Sequence, residues 1–242
     1  MKLLLLFSIL LSLNVFAEFD QNHTKFSEVL SEFSKQIEKQ TLVNYKGLKA
    51  QNGKLKEYLK QVQAITIQEF KSFSSDQKLV FWINIYNAYT LELIVTHYPI
   101  KSIKNIGSFF SGPWSQKIVK VFGKKMTLDQ VEHKTIRKQF KEPRIHFAVN
   151  CASIGCPSLL PEAFTADKLE EQLDKSTKNF LNNKTKNYEK NGTLYLSKIF
   201  DWYGDDFIEK YGSYKNFVKK YYGLSGEYKV EFLEYDWKLN QL

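Results

Sequence analysis

The chain has 242 residues, of which 43% are hydrophobic and 15% aromatic, so it is long enough to bury a large core without covalent cross-links. Its 35 basic and 26 acidic residues give a net charge of +9, but the lysines are scattered and there is no arginine-rich arm. This pattern gives no support for specific nucleic-acid binding, and it leaves attraction to an anionic membrane or cell wall open.

The first 17 residues have the pattern of a secretory signal peptide. Lys2 precedes an uninterrupted apolar run that ends at Ala17, and Glu18 follows. The apolar run is too short for a stable membrane anchor, and no cysteine at the cleavage point offers a lipid anchor. We therefore expect a periplasmic or secreted protein, cleaved after Ala17, that forms a single domain over residues 18–242. We also expect a monomer that needs no metal or other cofactor.

The N-terminal half of the mature chain predicts helices. Apolar spacing predicts one helical face of Phe26, Val29, Leu30, Phe33 and Ile37 and another of Leu55, Leu59 and Val62. Ser75 is the predicted cap of a long apolar helix that ends before Pro99. Within that helix, Asn84 and Asn87 share one face. Buried amides need hydrogen bonds, so these two either tie down neighbouring backbone or line a polar cleft and orient a catalytic side chain.

The second half of the chain predicts strands mixed with helices. Hairpins are predicted at Gly123 and at Asn191-Gly192. A capping box of Thr127 and Gln130 predicts a helix through about Phe140. The remaining predicted elements are a helix from Thr165, a helix from Asp205 and a last strand around Tyr228–Trp237. The plan is an α+β fold, with the helical N-terminal half packed on a mixed or antiparallel sheet.

Residues 144–150 are apolar on both faces, which predicts a strand inside the sheet, between other strands. Strand alternation would put His146 on the opposite side from Cys151, which follows directly. We therefore expect His133, from the preceding helix, to be the better partner for Cys151.

Glu132 and His133 break the apolar pattern of their predicted helix. At 100° per residue, Glu132 lies on the buried face and His133 at its border. A buried carboxylate needs a partner, and the candidates are His133, Arg137, Arg144 and the two asparagines. A buried ion pair would explain Glu132 structurally. An imidazole beside a semi-buried acid is also how a general base is built.

The chain has two cysteines, Cys151 and Cys156. Cys151 is a candidate nucleophile, because exposed reactive thiols occur at strand ends. Export makes a disulfide between the two cysteines chemically feasible. A buried inert pair is a third interpretation. Zinc is the weakest, since one Cys-x4-Cys spacing without a second cysteine pair gives little support to a metal site.

Five motifs of this chain resemble the bacterial domain-of-unknown-function 547 family. They are WINIYNA from Trp82, YPIKSI from Tyr98, VEH of Val131–His133 with Arg137, HFAVNCASIGCPSL from His146, and FDWYGDDF from Phe200. The resemblance covers about residues 76–207, with an echo at YDWKLN near the end. It implies a shared fold and a shared polar centre built on Glu132, His133 and Cys151, with Cys156 less essential. Val131 stands where the family usually has isoleucine.

We hypothesise an exported cysteine-dependent hydrolase or acyl-transferring enzyme of the papain or transglutaminase type. Cys151 would attack a carbonyl, His133 would take its proton and Glu132 would orient the imidazole. The site would be supported by Asn84, Asn87, His146, Ser153 and Arg137. Backbone N–H groups of the 152–155 turn would bind the oxyanion. The substrate would contain an amide, as in a peptide, an isopeptide or a cell-wall polymer.

The alternative is a non-catalytic exported binding domain. Its Glu132, His133 and amide network would be structural, and Trp202 and Tyr203 would face the ligand. A thiol–disulfide exchange enzyme is a third hypothesis, but the usual Cys-x-x-Cys spacing is missing.

The catalytic hypothesis makes three checkable predictions. The Cys151 sulfur should lie within about 5 Å of a His133 ring nitrogen. The cleft should open near Ser153 and Gly155. Cys156→Ser should leave the protein active, whereas Cys151→Ser should leave it folded and inactive.

Overall fold

The computed structural model of the protein describes residues 18–108 and 111–242, and the predicted signal peptide of residues 1–17 lies outside the described residues. The α-helices are α1 (Thr24–Phe33), α2 (Tyr45–Ala50), α3 (Gly53–Ala64), α4 (Ile67–Ser72), α5 (Ser75–His97), α6 (Arg137–Gln139), α7 (Leu169–Leu181), α8 (Ile199–Trp202), α9 (Ile208–Tyr211) and α10 (Tyr214–Tyr222). A π-helix (Gln130–Ile136) leads into α6, and short 3-10 helices span Ile103–Asn105, Pro113–Ser115, Pro143–Phe147, Ala166–Lys168 and Gly204–Phe207. The strands are β1 (Ser34–Ile37), β2 (Gln40–Val43), β3 (Val119–Val121), β4 (Lys124–Met126), β5 (Tyr188–Lys190), β6 (Thr193–Ser197) and β7 (Lys229–Leu233).

Helix α5 runs through the larger of two apolar cores. A capping box between Ser74 and Gln77 begins it, one residue before the predicted cap at Ser75. Nearly every side chain from Leu79 to Val95 is buried, because helices α2 and α3 and the π-helix pack around α5. Its length and composition alone would suit a membrane span, but 89% of that apolar window is buried inside the protein.

Strand pairing among the described residues forms two hairpins and one three-stranded sheet. The hairpins β1–β2 and β3–β4 are antiparallel. The turn between β5 and β6 has φ of 52° at Asn191 and 74° at Gly192, which is the left-handed backbone that a two-residue hairpin turn requires. Strand β7 adds to β6 in parallel, with Thr193 opposite Lys229. The predicted α+β class is confirmed, and the mixed sheet packs with α7, α8 and α10 around the smaller, phenylalanine-rich core.

The prediction of a sheet strand over residues 144–150 is wrong. Pro143–Phe147 form a 3-10 helix, and the chain continues to Cys151 without strand pairing. The run is apolar in all directions because it lies between the two cores, with Ile145 and Val149 in the larger one and Phe147 in the smaller one. A short buried apolar run has the same sequence pattern in a helix as in a strand, so periodicity could not separate them.

Other predicted elements are confirmed with shifted boundaries. The Thr127–Gln130 capping box is present, with both reciprocal hydrogen bonds formed. The helix predicted from Thr165 begins as the 3-10 turn that leads into α7, and the last strand is shorter than expected. The first helix ends at Phe33, and Ile37 lies in β1, where it pairs with Gln40.

Candidate functional site

A cavity of about 280 Å³ collects part of the predicted site. It lies between α5, the π-helix, the cysteine segment and the chain around residues 199–203 and 235–237. Glu132, His133, His146 and Cys151 all line it. The other predicted residues, Asn84, Asn87, Ser153 and Arg137, lie behind or beside its wall.

Cys151 and Cys156 are joined by a disulfide, with Cα atoms 6.0 Å apart. The structure therefore agrees with the disulfide interpretation. The expectation of a free Cys151 thiol is wrong for this oxidised state. The Tyr235 hydroxyl lies 3.2 Å from each sulfur, and the Ser153 hydroxyl lies 3.4 Å from each. Cys151 is half-buried at the cavity wall, whereas Cys156 is buried. Two hydroxyl groups thus contact the sulfur pair, and one of them belongs to Tyr235, which also lines the cavity.

Asn87 and Asn150 hold the backbone that leads into Cys151. The Asn87 side chain donates to the Ala148 carbonyl (2.9 Å) and accepts from the Asn150 N–H (2.8 Å). The Asn150 side chain accepts in turn from the N–H of Ala152, whose φ of 59° is strained for a residue with a Cβ atom. The amide side chains therefore fix a turn that its own backbone conformation disfavours.

The Asn84 side chain also makes one donor and one acceptor hydrogen bond to the backbone, but at Phe164 rather than in the cysteine segment. Its side chain donates to the Phe164 carbonyl (2.8 Å) and accepts from the Phe164 N–H (3.0 Å). The first interpretation of the two asparagines, that they tie down neighbouring backbone, is therefore the one observed. Neither side chain orients an imidazole.

The turn after Cys151 does not form the expected oxyanion site. The N–H groups of Ile154 and Gly155 donate to the carbonyls of Lys238 and Asp236. The cleft does not open there either, because Ser153 is fully buried and Gly155 packs against the Tyr235 ring. A Cβ atom at Gly155 would lie 2.8 Å from that ring, so only glycine lets Tyr235 approach the disulfide.

Glu132 is buried, as its place on the helix predicts, with 6% of its surface exposed. Its partners differ from those expected, because they are the tyrosines Tyr86 and Tyr203. Burial raises the pKa of both phenols, and the charge of Glu132 and a hydrogen bond to it raise the pKa further. Among the described residues, no lysine or arginine forms an ion pair with Glu132. Glu132 is thus a carboxylate held by neutral donors.

His133 cannot act as the expected base in this arrangement. The guanidinium of Arg137 can only donate, so its 3.1 Å contact with Nδ1 of His133 occupies that nitrogen's lone pair. The neutral ring then carries its proton on Nε2, which faces Asp129 at 3.9 Å. The hydrogen bonds of the Cys151 sulfur go to Ser153 and Tyr235, not to His133.

His146, rather than His133, has a ring nitrogen hydrogen-bonded to a carboxylate. Its Nε2 donates to Asp206 (2.7 Å), and its buried Nδ1 has no partner among the described residues. The Tyr203 ring stacks on the imidazole at 4.1 Å between centroids. Burial lowers the pKa of His146 despite the bond to Asp206, which keeps the ring neutral at neutral pH. The strand alternation argument fails because this segment is helical.

Asp206 is the functional residue that the prediction missed. It accepts two bonds from Arg137, at 2.6 and 2.8 Å, as well as the one from His146. Burial alone would raise the pKa of Asp206, but these donors hold it well below its usual range. The FDWYGDDF motif contains Asp206 after an aromatic run, which is an indication of a functional acid. The sequence could not show its partner, because His146 lies 60 residues away.

Lys186 lies behind the disulfide and was also missed. Its ammonium donates to the carbonyl of Cys156 and to the side chain of Gln40. Burial lowers the pKa of Lys186 to about 7. The segment around Cys156 is therefore braced from the side away from the cavity.

Four rings form an aromatic rim around the cavity mouth: Trp114, Trp202, Tyr235 and Trp237. Trp202 stacks on Trp237 at 5.8 Å, and Tyr235 lies 4.9 Å from Trp202 and 4.5 Å from Trp237. Trp202 is 43% exposed, which is unusual for so large an apolar side chain. No group of three potential metal ligands occurs in the described part of the chain.

Residues 70–181 match the profile of a family described as protein of unknown function, DUF547. This match covers 112 of the 242 residues, and over this segment the chain is similar to the DUF547 family. The DUF547 segment supplies Glu132, His146 and both cysteines, whereas Asp206 and most of the aromatic rim come from outside it. No curated protein and no solved structure matches the chain. The papain-type or transglutaminase-type arrangement therefore stays a prediction.

Proposed function

We propose that the protein is an exported, thiol-dependent hydrolase that cleaves an amide or peptide-like bond once the Cys151–Cys156 disulfide has been reduced. The observation that carries the proposal is the hydrogen bond of His146 to Asp206, because the His146 ring lines the cavity that also holds Cys151. A neutral imidazole with one nitrogen held by a carboxylate and the other free is the arrangement of a general base. A buried nitrogen left without a partner is costly if its role is structural.

The opening step consumes a dithiol. Its two electrons and two protons convert the disulfide into two thiols, and the dithiol becomes a disulfide. His146 Nδ1 then takes the proton of Cys151, and the thiolate attacks the substrate carbonyl. Asp206 keeps the Nε2 proton in place and stabilises the imidazolium.

The second half of the reaction returns the enzyme to its dithiol form. The tetrahedral oxyanion accepts one hydrogen bond from the hydroxyl of Tyr235, which already lies beside the sulfurs. The His146 imidazolium protonates the leaving amine, and an acyl thioester remains on Cys151. A water molecule, deprotonated by His146, then hydrolyses the thioester and releases the acid.

The disulfide itself favours a second candidate function. If the bond persists in the working protein, the cavity is a binding site in which the aromatic rim and Glu132 hold a ligand without chemistry. Mass analysis of the unreduced exported protein, which also checks cleavage after Ala17, shows which cysteine state the cell maintains.

The test uses the mature protein with and without a phosphine reductant, a panel of aminoacyl and peptidyl anilides, and alkylation by iodoacetamide. Reduction should make Cys151 alkylate readily and should switch on hydrolysis. Cys151→Ser should abolish hydrolysis, and Cys156→Ser should keep it without any reductant.

The two cavity histidines provide a matched pair. His146→Gln should lower kcat by about 1,000-fold, within the range expected for loss of a general base, whereas His133→Gln should stay within about 10-fold of the wild type. The catalytic role would be contradicted if both variants lost the same kcat, or if His146→Gln left the rate of Cys151 alkylation unchanged. The binding function would then remain.

A further inference from the structure

The charge of the cavity is opposite to that of the protein. The chain carries 35 lysine and arginine residues against 26 acids, yet neither basic residue type is among the described residues that line the cavity. Its lining includes the carboxylates of Asp129 and Glu132. These carboxylates would repel an anionic ligand.

The field of Glu132 reaches the whole cavity. Burial is the largest cause of the pKa shift of four cavity side chains: it lowers the pKa of His146 and raises those of Tyr86, Tyr203 and Tyr235. The negative charge of Glu132 acts on all four in addition, and it raises the pKa of each. A buried carboxylate that forms no ion pair among the described residues is incompletely compensated. A cation inside the cavity would complete it.

Cations of the chain already lie against aromatic rings that line the cavity. The Lys104 ammonium lies 3.9 Å from the centroid of the Trp237 ring, and the Arg137 guanidinium lies 5.0 Å from that of Tyr203. Clusters of tryptophan and tyrosine around a small volume are the surroundings that proteins use for ammonium groups. The exposed ring of Trp202 has no such partner within the described residues.

We propose that the cavity binds an organic ammonium group, so that the substrate carries an amine or quaternary ammonium group close to its reactive bond. The cavity of about 280 Å³ is near the lower end of the range for small-molecule sites, which suits such a head group. The rim rings would contact its apolar surface, and Glu132 with Asp129 would face its charge. The consequence for catalysis rests on the proposed hydrolase function, whereas the binding itself does not.

The experiment measures binding to the unreduced mature protein by calorimetry and by tryptophan fluorescence, to which the rim contributes three of the four tryptophans. The probes are choline and its neutral isostere 3,3-dimethyl-1-butanol, with N-acetylglucosamine as a neutral sugar. Choline should bind at least about 10-fold more tightly than the isostere, a difference that added salt should reduce.

Variants separate the two parts of the site. Glu132→Gln should remove the preference for choline over the isostere, and Asp129→Asn provides a second charge variant if Glu132→Gln fails to fold. Trp202→Ala should weaken choline about 10-fold. Phe232→Ala, which removes an exposed ring away from the cavity, should leave binding unchanged.

Each outcome decides between the proposals. Equal binding of choline and the isostere, or binding of the sugar alone, would overturn the ammonium site. Choline binding without hydrolysis after reduction would keep the ammonium site and remove the hydrolase. If the protein does not bind choline but hydrolyses anilides without a preference for those with an ammonium group, the hydrolase function stands and the ammonium site is overturned.

Discussion

The two walls of the cavity differ in how they are built. The inner wall includes His146, which is bonded to Asp206; the two side chains are buried and half-buried, and hydrogen bonds of 2.6–2.8 Å fix them. The aromatic rim is made of partly exposed rings that contact one another and have few polar partners. Fixed, charged groups suit proton transfer, whereas exposed rings suit recognition. The comparison teaches that changes to the inner wall should alter kcat, and changes to the rim should alter KM.

The largest effect is expected for Asp206→Asn. An asparagine amide can donate to Nε2 of His146, which would move the imidazole proton to Nδ1 and remove the base. We expect kcat to fall by roughly 1,000- to 10,000-fold, as in other enzymes where this acceptor is lost. The neighbouring exposed Asp205→Asn is the matched control and should keep full activity. A KM effect without a kcat effect would break the assignment of the inner wall to chemistry.

The next largest effect is expected at the two buried asparagines, Asn84 and Asn87, and it concerns stability. Asn87→Ala and Asn84→Ala each leave a buried N–H and a buried carbonyl unpaired, so each should lower the free energy of unfolding by about 3 kcal/mol. Denaturant unfolding measures this. In addition, Asn87→Ala should slow alkylation of reduced Cys151, because Asn87 holds the backbone that leads into Cys151 whereas Asn84 holds Phe164. Equal alkylation in both variants would contradict that role.

A smaller effect is expected at the rim. Trp114→Ala should raise KM for a cleaved anilide about 10-fold and leave kcat within about twofold, because the ring contacts substrate away from the reacting atoms. Steady-state kinetics with the control Phe232→Ala gives the comparison. A fall in kcat alone would place Trp114 with the inner wall.

The smallest effect concerns pH. The free imidazole of His146 is the active form, and its lowered pKa keeps it neutral down to pH values below 6.5, so activity should persist there and fall only at lower pH. Burial lowers the pKa of His146, and the negative charge of Glu132 opposes part of this shift. Glu132→Gln should therefore move the acidic limb of kcat/KM to lower pH. A shift to higher pH would show that Glu132 does not act on this imidazole.

The fold was predictable where local chemistry decides it. The capping box at Thr127, the hairpin turn at Asn191 and the long helix α5 form from interactions within a few residues, and all are present. Residues 144–150 failed because a run buried on all sides carries no period that distinguishes a strand from a helix. The same failure misplaced His146 relative to Cys151.

The sequence by itself determined that Glu132 is buried, that the two cysteines share one segment, and that motifs between about residues 76 and 207 resemble the DUF547 family. Only the tertiary structure decided which histidine has a free nitrogen. The two imidazoles differ in the partners that reach them, Arg137 for His133 and Asp206 for His146. Asp206 comes from a turn 60 residues beyond His146. Spacing along the chain determines which residues share a helix, but packing of distant segments determines which of them donate, accept or stay unpaired.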